Sequence, residues 1–135
     1  MIFRFLGLFL LLFSLSGCAE PPYNNLNNEQ LKTMLDQGTA IYDIRRPEEW
    51  RQTGVVEGSK LLTFVDGGGR VLPDFLPRFT ADISKDDPVI LICRTGNRTD
   101  SLARYLVETG FTNVYNVRDG ITRWIRDDQP VTRPR

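Results

Sequence analysis

Along residues 27–128 the apolar positions switch repeatedly between helical spacing and the unbroken run of a buried strand. Asn27 can cap a helix, with Gln30 three residues on as a variant of the capping box. Leu26 and Leu31 occupy the two positions of a hydrophobic staple. Leu31, Met34 and Leu35 share one apolar face, and Gly38 ends the helix. Ala40–Ile44 reads as a short buried strand. Pro47 opens a short helix that carries Glu48, Glu49 and Trp50. Ser59–Phe64 reads as another strand and Leu72–Phe79 as a helical turn laying aromatics on the core. Between them, Asp66–Arg70 holds three consecutive glycines and is a loop; it lacks the lysine and following helix of a phosphate-binding loop.

Val89–Ile92 is a continuous apolar run, the pattern of a central parallel strand buried on both faces. A helix follows over 98–109, with Leu102 and Leu106, and Ala103 and Val107, paired on its inner side and Gly110 as its stop. Asn113–Val117 is a further strand, and Gly120–Arg126 a last helix closed by Pro130. Strands alternating with helices predict a single α/β domain, a central parallel sheet flanked by helices on both faces.

The first residues follow a different pattern. Arg4 supplies one positive charge, and Phe5–Leu15 is almost wholly Phe and Leu, broken only by Gly7 and Ser14. A charged start, a short apolar stretch and small residues at its exit make a signal peptide over 1–17; the run is too short for a comfortable transmembrane helix, which needs about 20 residues. Leu15-Ser16-Gly17-Cys18 looks like a bacterial lipobox, with Cys18 the lipid attachment site. By that resemblance, Ala19 after the cysteine favours the outer membrane, so the chain is expected in the cell envelope, lipid-anchored and facing the periplasm. Pro21, Pro22 and the asparagines after them read as a tether over 18–26, the domain as 27–130, and 131–135 as a tail.

Composition narrows the chemistry. The chain has 135 residues, 17 basic and 17 acidic side chains, two cysteines and no histidine. Without histidine there is no Ser-His-Asp or Cys-His catalytic pair and no His-containing zinc site, and two cysteines cannot build a four-thiolate metal site. No metal and no cofactor are expected. A formal charge of zero argues against nucleic acid as a partner.

Chemistry concentrates at Cys93. It stands at the C-terminal end of the most apolar strand, the end where ligands bind in open α/β sheets. Arg94-Thr95-Gly96-Asn97-Arg98 leads directly into a helix. Successive backbone N–H groups in such a loop can form an anion nest, the helix N-terminus adds partial positive charge, and Arg94 and Arg98 add two guanidinium groups. Each favours a thiolate over a thiol, and none needs a histidine. With Cys18 acylated, Cys93 has no intramolecular disulfide partner.

Cys93-Arg94-Thr95-Gly96-Asn97-Arg98-Thr99 resembles the active-site loop of the rhodanese-like (sulfurtransferase) family. Other landmarks fall in order. Asp43-Ile44-Arg45 is similar to the Asp-x-Arg element after the first core strand, Glu48-Glu49-Trp50 to the acidic-aromatic helix, and Gly54 and Gly58 to two glycines before the next strand. Asp119-Gly120 with Trp124 is similar to the closing Gly-Gly-x-x-x-Trp element. Val55 departs from the histidine often found there. The resemblance implies a two-step sulfur transfer: Cys93 takes sulfane sulfur from a small sulfur-containing anion such as thiosulfate, and cyanide or a small-molecule or protein thiol removes it. The amides of residues 94–98 would cradle the persulfide or donor, Arg94 would meet donor charge, and Arg98 would serve either the donor or the loop. Asp43 and Arg45 read as a structural ion pair. Alternatives are a non-catalytic binding module, and a cysteine phosphatase or arsenate reductase. The phosphatase loop Cys-x5-Arg needs arginine at position 99, where this chain has Thr99.

Overall fold

The computed structural model describes residues 19–134; the signal peptide expected over 1–17 and the expected lipid site Cys18 lie outside them. Five strands form one parallel sheet: β1 (Asn24–Leu26), β2 (Ala40–Asp43), β3 (Lys60–Leu61), β4 (Val89–Ile92) and β5 (Val114–Val117). Their order is β1-β5-β4-β2-β3, and every pairing is parallel. Four helices connect them, α1 (Asn28–Asp36), α2 (Pro47–Thr53), α3 (Phe75–Asp82) and α4 (Asn97–Glu108), and α5 (Gly120–Arg126) follows β5. This is the expected α/β architecture.

β4 lies in the middle because its four residues can all be buried, and they are. Its alternate side chains feed two cores. Val89 and Leu91 pack with Phe75 and Phe79 of α3 and Leu102, Ala103 and Leu106 of α4. Ile90 and Ile92 pack on the other face with Leu31 of α1 and Ile121 and Trp124 of α5. Each apolar helix face thus has a sheet face to cover. α1 starts on the expected box, the Asn27 side chain accepting the Gln30 amide and the Gln30 side chain accepting the Asn27 amide, each at 2.9 Å. It stops at Gly38, whose left-handed φ of 79° lets Gly38 and Thr39 donate back to Leu35 and Met34.

Three expectations are corrected. Residues 24–26 are not tether but β1, an edge strand whose only sheet partner is β5; Tyr23 just before it is buried, its hydroxyl donating to Asp100 on α4. The strand expected over Ser59–Phe64 is a ladder of two residues, because beyond Leu61 the chain sends Leu62 and Phe64 into the core while Thr63 bonds the Arg45 carbonyl. Residues 131–134 do not trail free of the domain: Val55 and Thr132 exchange backbone hydrogen bonds at 2.9 and 2.8 Å.

Candidate active site

The turn from β4 into α4 carries the predicted nucleophile. Cys93 is buried, only 1% exposed, on the side of the sheet covered by α3 and α4. The Gly96 amide donates to its Sγ at 3.2 Å, and the Thr99 Oγ1 stands 3.3 Å from it. Thr99 is fully buried on the first turn of α4, so its hydroxyl has few other partners. Of the amides predicted to gather here, Gly96's alone reaches the sulfur. Those of Arg94, Thr95 and Asn97 have no partner among the described residues, so they remain available to an anion.

Backbone contacts force the loop's shape. Gly96 has a φ of 93°, and a Cβ built on it would stand 2.1 Å from the Arg118 carbonyl oxygen. From the other side, Gly120 presses on Arg94, and a Cβ there would meet the Arg94 carbonyl oxygen at 2.3 Å. The amides of Ile121 and Thr122 then donate to the carbonyls of Cys93 and Arg94 at 2.9 and 3.1 Å. The start of α5 is therefore the seat on which the cysteine loop rests.

The two arginines of the loop part company. Arg94 is exposed and lines the cleft above Cys93. Arg98 is half-buried and grips Glu49 of α2 with both terminal nitrogens, at 2.7 and 2.8 Å. Hydrogen bonds from Arg98, joined by one from the Arg46 amide, hold the Glu49 carboxyl down to about 2 against the opposing effect of burial. The same pairing raises the Arg98 guanidinium further above its ordinary value. The sequence left open whether Arg98 serves the donor or the loop; the geometry ties it to α2.

Asp43 and Arg45 form a fully buried ion pair, 2.8 Å at its shortest. Arg45 also donates to Thr53 Oγ1, the Glu49 carbonyl and the Gly54 carbonyl, while Trp50 Nε1 donates to Asp43 at 3.0 Å. This web ties β2 to both ends of α2, and so places Glu49 opposite Arg98.

The cleft has a volume of about 390 Å³ and three walls. Arg94, Thr95, Asn97 and Arg98 form one and Arg46 and Glu49 the second; Val65, Asp66, Gly67 and Gly69 of the triple-glycine loop form the third. That third wall had no role in the sequence reading. The loop is a small hairpin: Val65 bridges Val71, and the Asp66 side chain accepts the amides of Gly68 and Arg70. An aspartate directly before a glycine run is a turn signal, but only the folded chain sets it beside Cys93.

The sequence profile of the rhodanese-like domain family matches residues 27–127. A thiosulfate sulfurtransferase GlpE of Tolumonas auensis is 37% identical over 103 residues, covering 76% of this chain and 88% of that protein. A sulfurtransferase of Allochromatium vinosum is 28% identical over 113 residues, covering 82% and 96%. The crystal structure of a rhodanese-related protein from Thermoplasma volcanium superposes with a TM-score of 0.67 at 22% identity, over 83% of this chain and 100% of that one. The last similarity is one of fold.

Proposed function

The chain belongs to the rhodanese-like domain family, and from that membership we propose that it is a sulfurtransferase carrying sulfane sulfur as a persulfide on Cys93. One observation supports this above the rest: the only cysteine among the described residues has its sulfur at the root of a cleft, hydrogen-bonded by a loop amide, with further loop amides unpaired around it. In the first step the Cys93 thiolate attacks the outer sulfur of a donor such as thiosulfate. A new S–S bond forms as the bond to the sulfonate sulfur breaks, and sulfite leaves with the electron pair. In the second, an acceptor such as cyanide or a thiolate attacks that outer sulfur and the Cys93 thiolate departs. Amides fixed in advance stabilise the charge that moves between these sulfurs, with no histidine required.

Thr99 at the sixth position after the cysteine, and Arg98 committed to Glu49, favour this reading over a phosphatase, whose arginine must be free to clamp the phosphoryl oxygens. The purified protein should form thiocyanate from thiosulfate and cyanide, and Cys93→Ser should abolish it. If mass spectrometry finds no persulfide on wild-type Cys93 after several sulfane donors, the module is a binding domain instead.

The envelope location belongs to the same proposal. Leu15-Ser16-Gly17-Cys18 supports processing before Cys18 and acylation of its thiol, which anchors the module at the outer membrane facing the periplasm. Among the described residues no helix is long and apolar enough to cross a membrane. Cys18→Ala should release the protein from the membrane fraction. A processed Cys18→Ala protein that still sediments with membranes overturns the anchor.

A further inference from the structure

The charges of the cleft are nearly all matched within its own walls. Arg46, Glu49, Asp66, Arg94 and Arg98 line it. Arg98 is held by both oxygens of Glu49. Arg46 lies 2.9 Å from Glu48 and 3.8 Å from Glu49. Asp66 is turned into its own hairpin. Arg94 alone among these five has no ion-pair or side-chain hydrogen-bond partner among the described residues. Behind the pair, Asp43 and Arg45 neutralise each other, and Cys93 supplies the remaining ionisable group.

Glu49 is itself anchored. As the third residue of α2 it accepts the Arg46 amide at 3.0 Å, so the carboxylate that holds Arg98 belongs to the helix cap. A two-point guanidinium–carboxylate pair fixes both position and orientation. Released from it, Arg98 would present a second cation to whatever enters the cleft. Because Glu49 keeps its charge down to about pH 2, the grip persists across the working range.

We propose that Glu49 is a positioning residue that sets the charge of the accepted donor: by holding Arg98 against α2 it withdraws that cation from the cleft, leaving Arg94 and the loop amides to favour singly charged thiosulfonates over doubly charged thiosulfate. The inference rests on the sulfur-transfer reading. Both donors deliver the same atom. The Cys93 thiolate attacks the outer sulfur, the S–S bond forms as the bond to the oxidised sulfur breaks, and a sulfinate or sulfite leaves with the electron pair.

The test compares kcat/KM for thiosulfate with that for methanethiosulfonate anion in the wild-type chain, Glu49→Gln, Arg98→Gln and the double variant. Their ratio cancels any loss of folded protein. Wild type should favour the thiosulfonate. Glu49→Gln should shift the ratio toward thiosulfate by about fivefold, the scale of a partly exposed charge contact. The double variant should return it toward wild type. A ratio unchanged or shifted the other way in Glu49→Gln, or a shift that persists in the double variant, overturns the proposal. Should Glu49→Gln be insoluble, Glu49→Ala removes the same carboxylate and should shift the ratio the same way, and an unchanged ratio there is equally fatal. Sulfate protection of Cys93 against iodoacetamide supplies a readout without transfer. If neither donor loads wild-type Cys93, the sulfur-transfer reading fails. Sulfate protecting folded Glu49→Gln no better than wild type counts against Glu49 instead.

Discussion

Gly96 lies directly against Arg118, so close that a methyl group on its α-carbon would stand 2.1 Å from the Arg118 carbonyl oxygen. Both partners are backbone, at the end of β5 and in the loop before α4, so neither can swing aside. Gly96→Ala should therefore cost roughly 1–3 kcal/mol from the clash and about 1–2 kcal/mol from an alanine held at φ 93°. Urea unfolding measures the first consequence. The second is loss of the amide contact to Cys93, so sulfur transfer should fall further than the folded fraction does.

Thr99 offers a milder perturbation of the same sulfur. Its Oγ1 is 3.3 Å from Sγ and its side chain is wholly buried. Thr99→Val keeps the shape and removes the hydroxyl. Unfolding free energy should move by less than about 1.5 kcal/mol, while persulfide formation in single-turnover experiments should slow by up to about tenfold. Thr99→Ser should retain the wild-type rate. Equal rates for the valine and serine variants would remove the hydroxyl from the reaction.

Arg45 should matter to stability more than any exposed arginine. Replacing it with methionine leaves the Asp43 carboxylate buried, with Trp50 and the residue 45 amide as its remaining partners. Breaking one side of a buried pair costs about 3–5 kcal/mol. Arg104→Met, which removes an exposed pair with Asp100 four residues away, should cost less than about 1 kcal/mol. Denaturation of the two variants side by side checks the contrast.

What the sequence disclosed follows the range of each interaction. The caps of α1, the glycine stop after α4 and the bounds of α5 depend on neighbours within a few residues, and they were legible. Val89–Ile92 announced a buried central strand by composition alone. Asn24–Leu26 did not read as a strand because an edge strand of two asparagines and a leucine has no apolar period; it is set by β5, which lies some ninety residues away. Cys93 and its loop were legible because strand, loop and helix are contiguous. The pairing of Arg98 with Glu49 spans 49 positions, and the hairpin wall reaches Cys93 only through the fold. Sequence singled out Cys93 as the candidate nucleophile, and the long-range contacts shape the space in front of it.

The Glu49–Arg98 pair also has a pH signature. The folded chain holds the Glu49 carboxyl at about 2, below the ordinary 4.5, chiefly through the hydrogen bonds from Arg98. A carboxyl whose folded value is depressed stabilises the native state fully above its unfolded value and loses that contribution as pH falls toward the folded one. The window is thus from about pH 4.5 down to about pH 2. Other carboxylates titrate in the same range, so the informative quantity is the difference between wild type and Glu49→Gln. Urea midpoints measured through the window should fall more steeply with acid for wild type, and the two curves should converge near its lower end. Parallel curves would show that protonating Glu49 leaves the fold indifferent. In that case the grip on Arg98 would act on the cleft without contributing to stability.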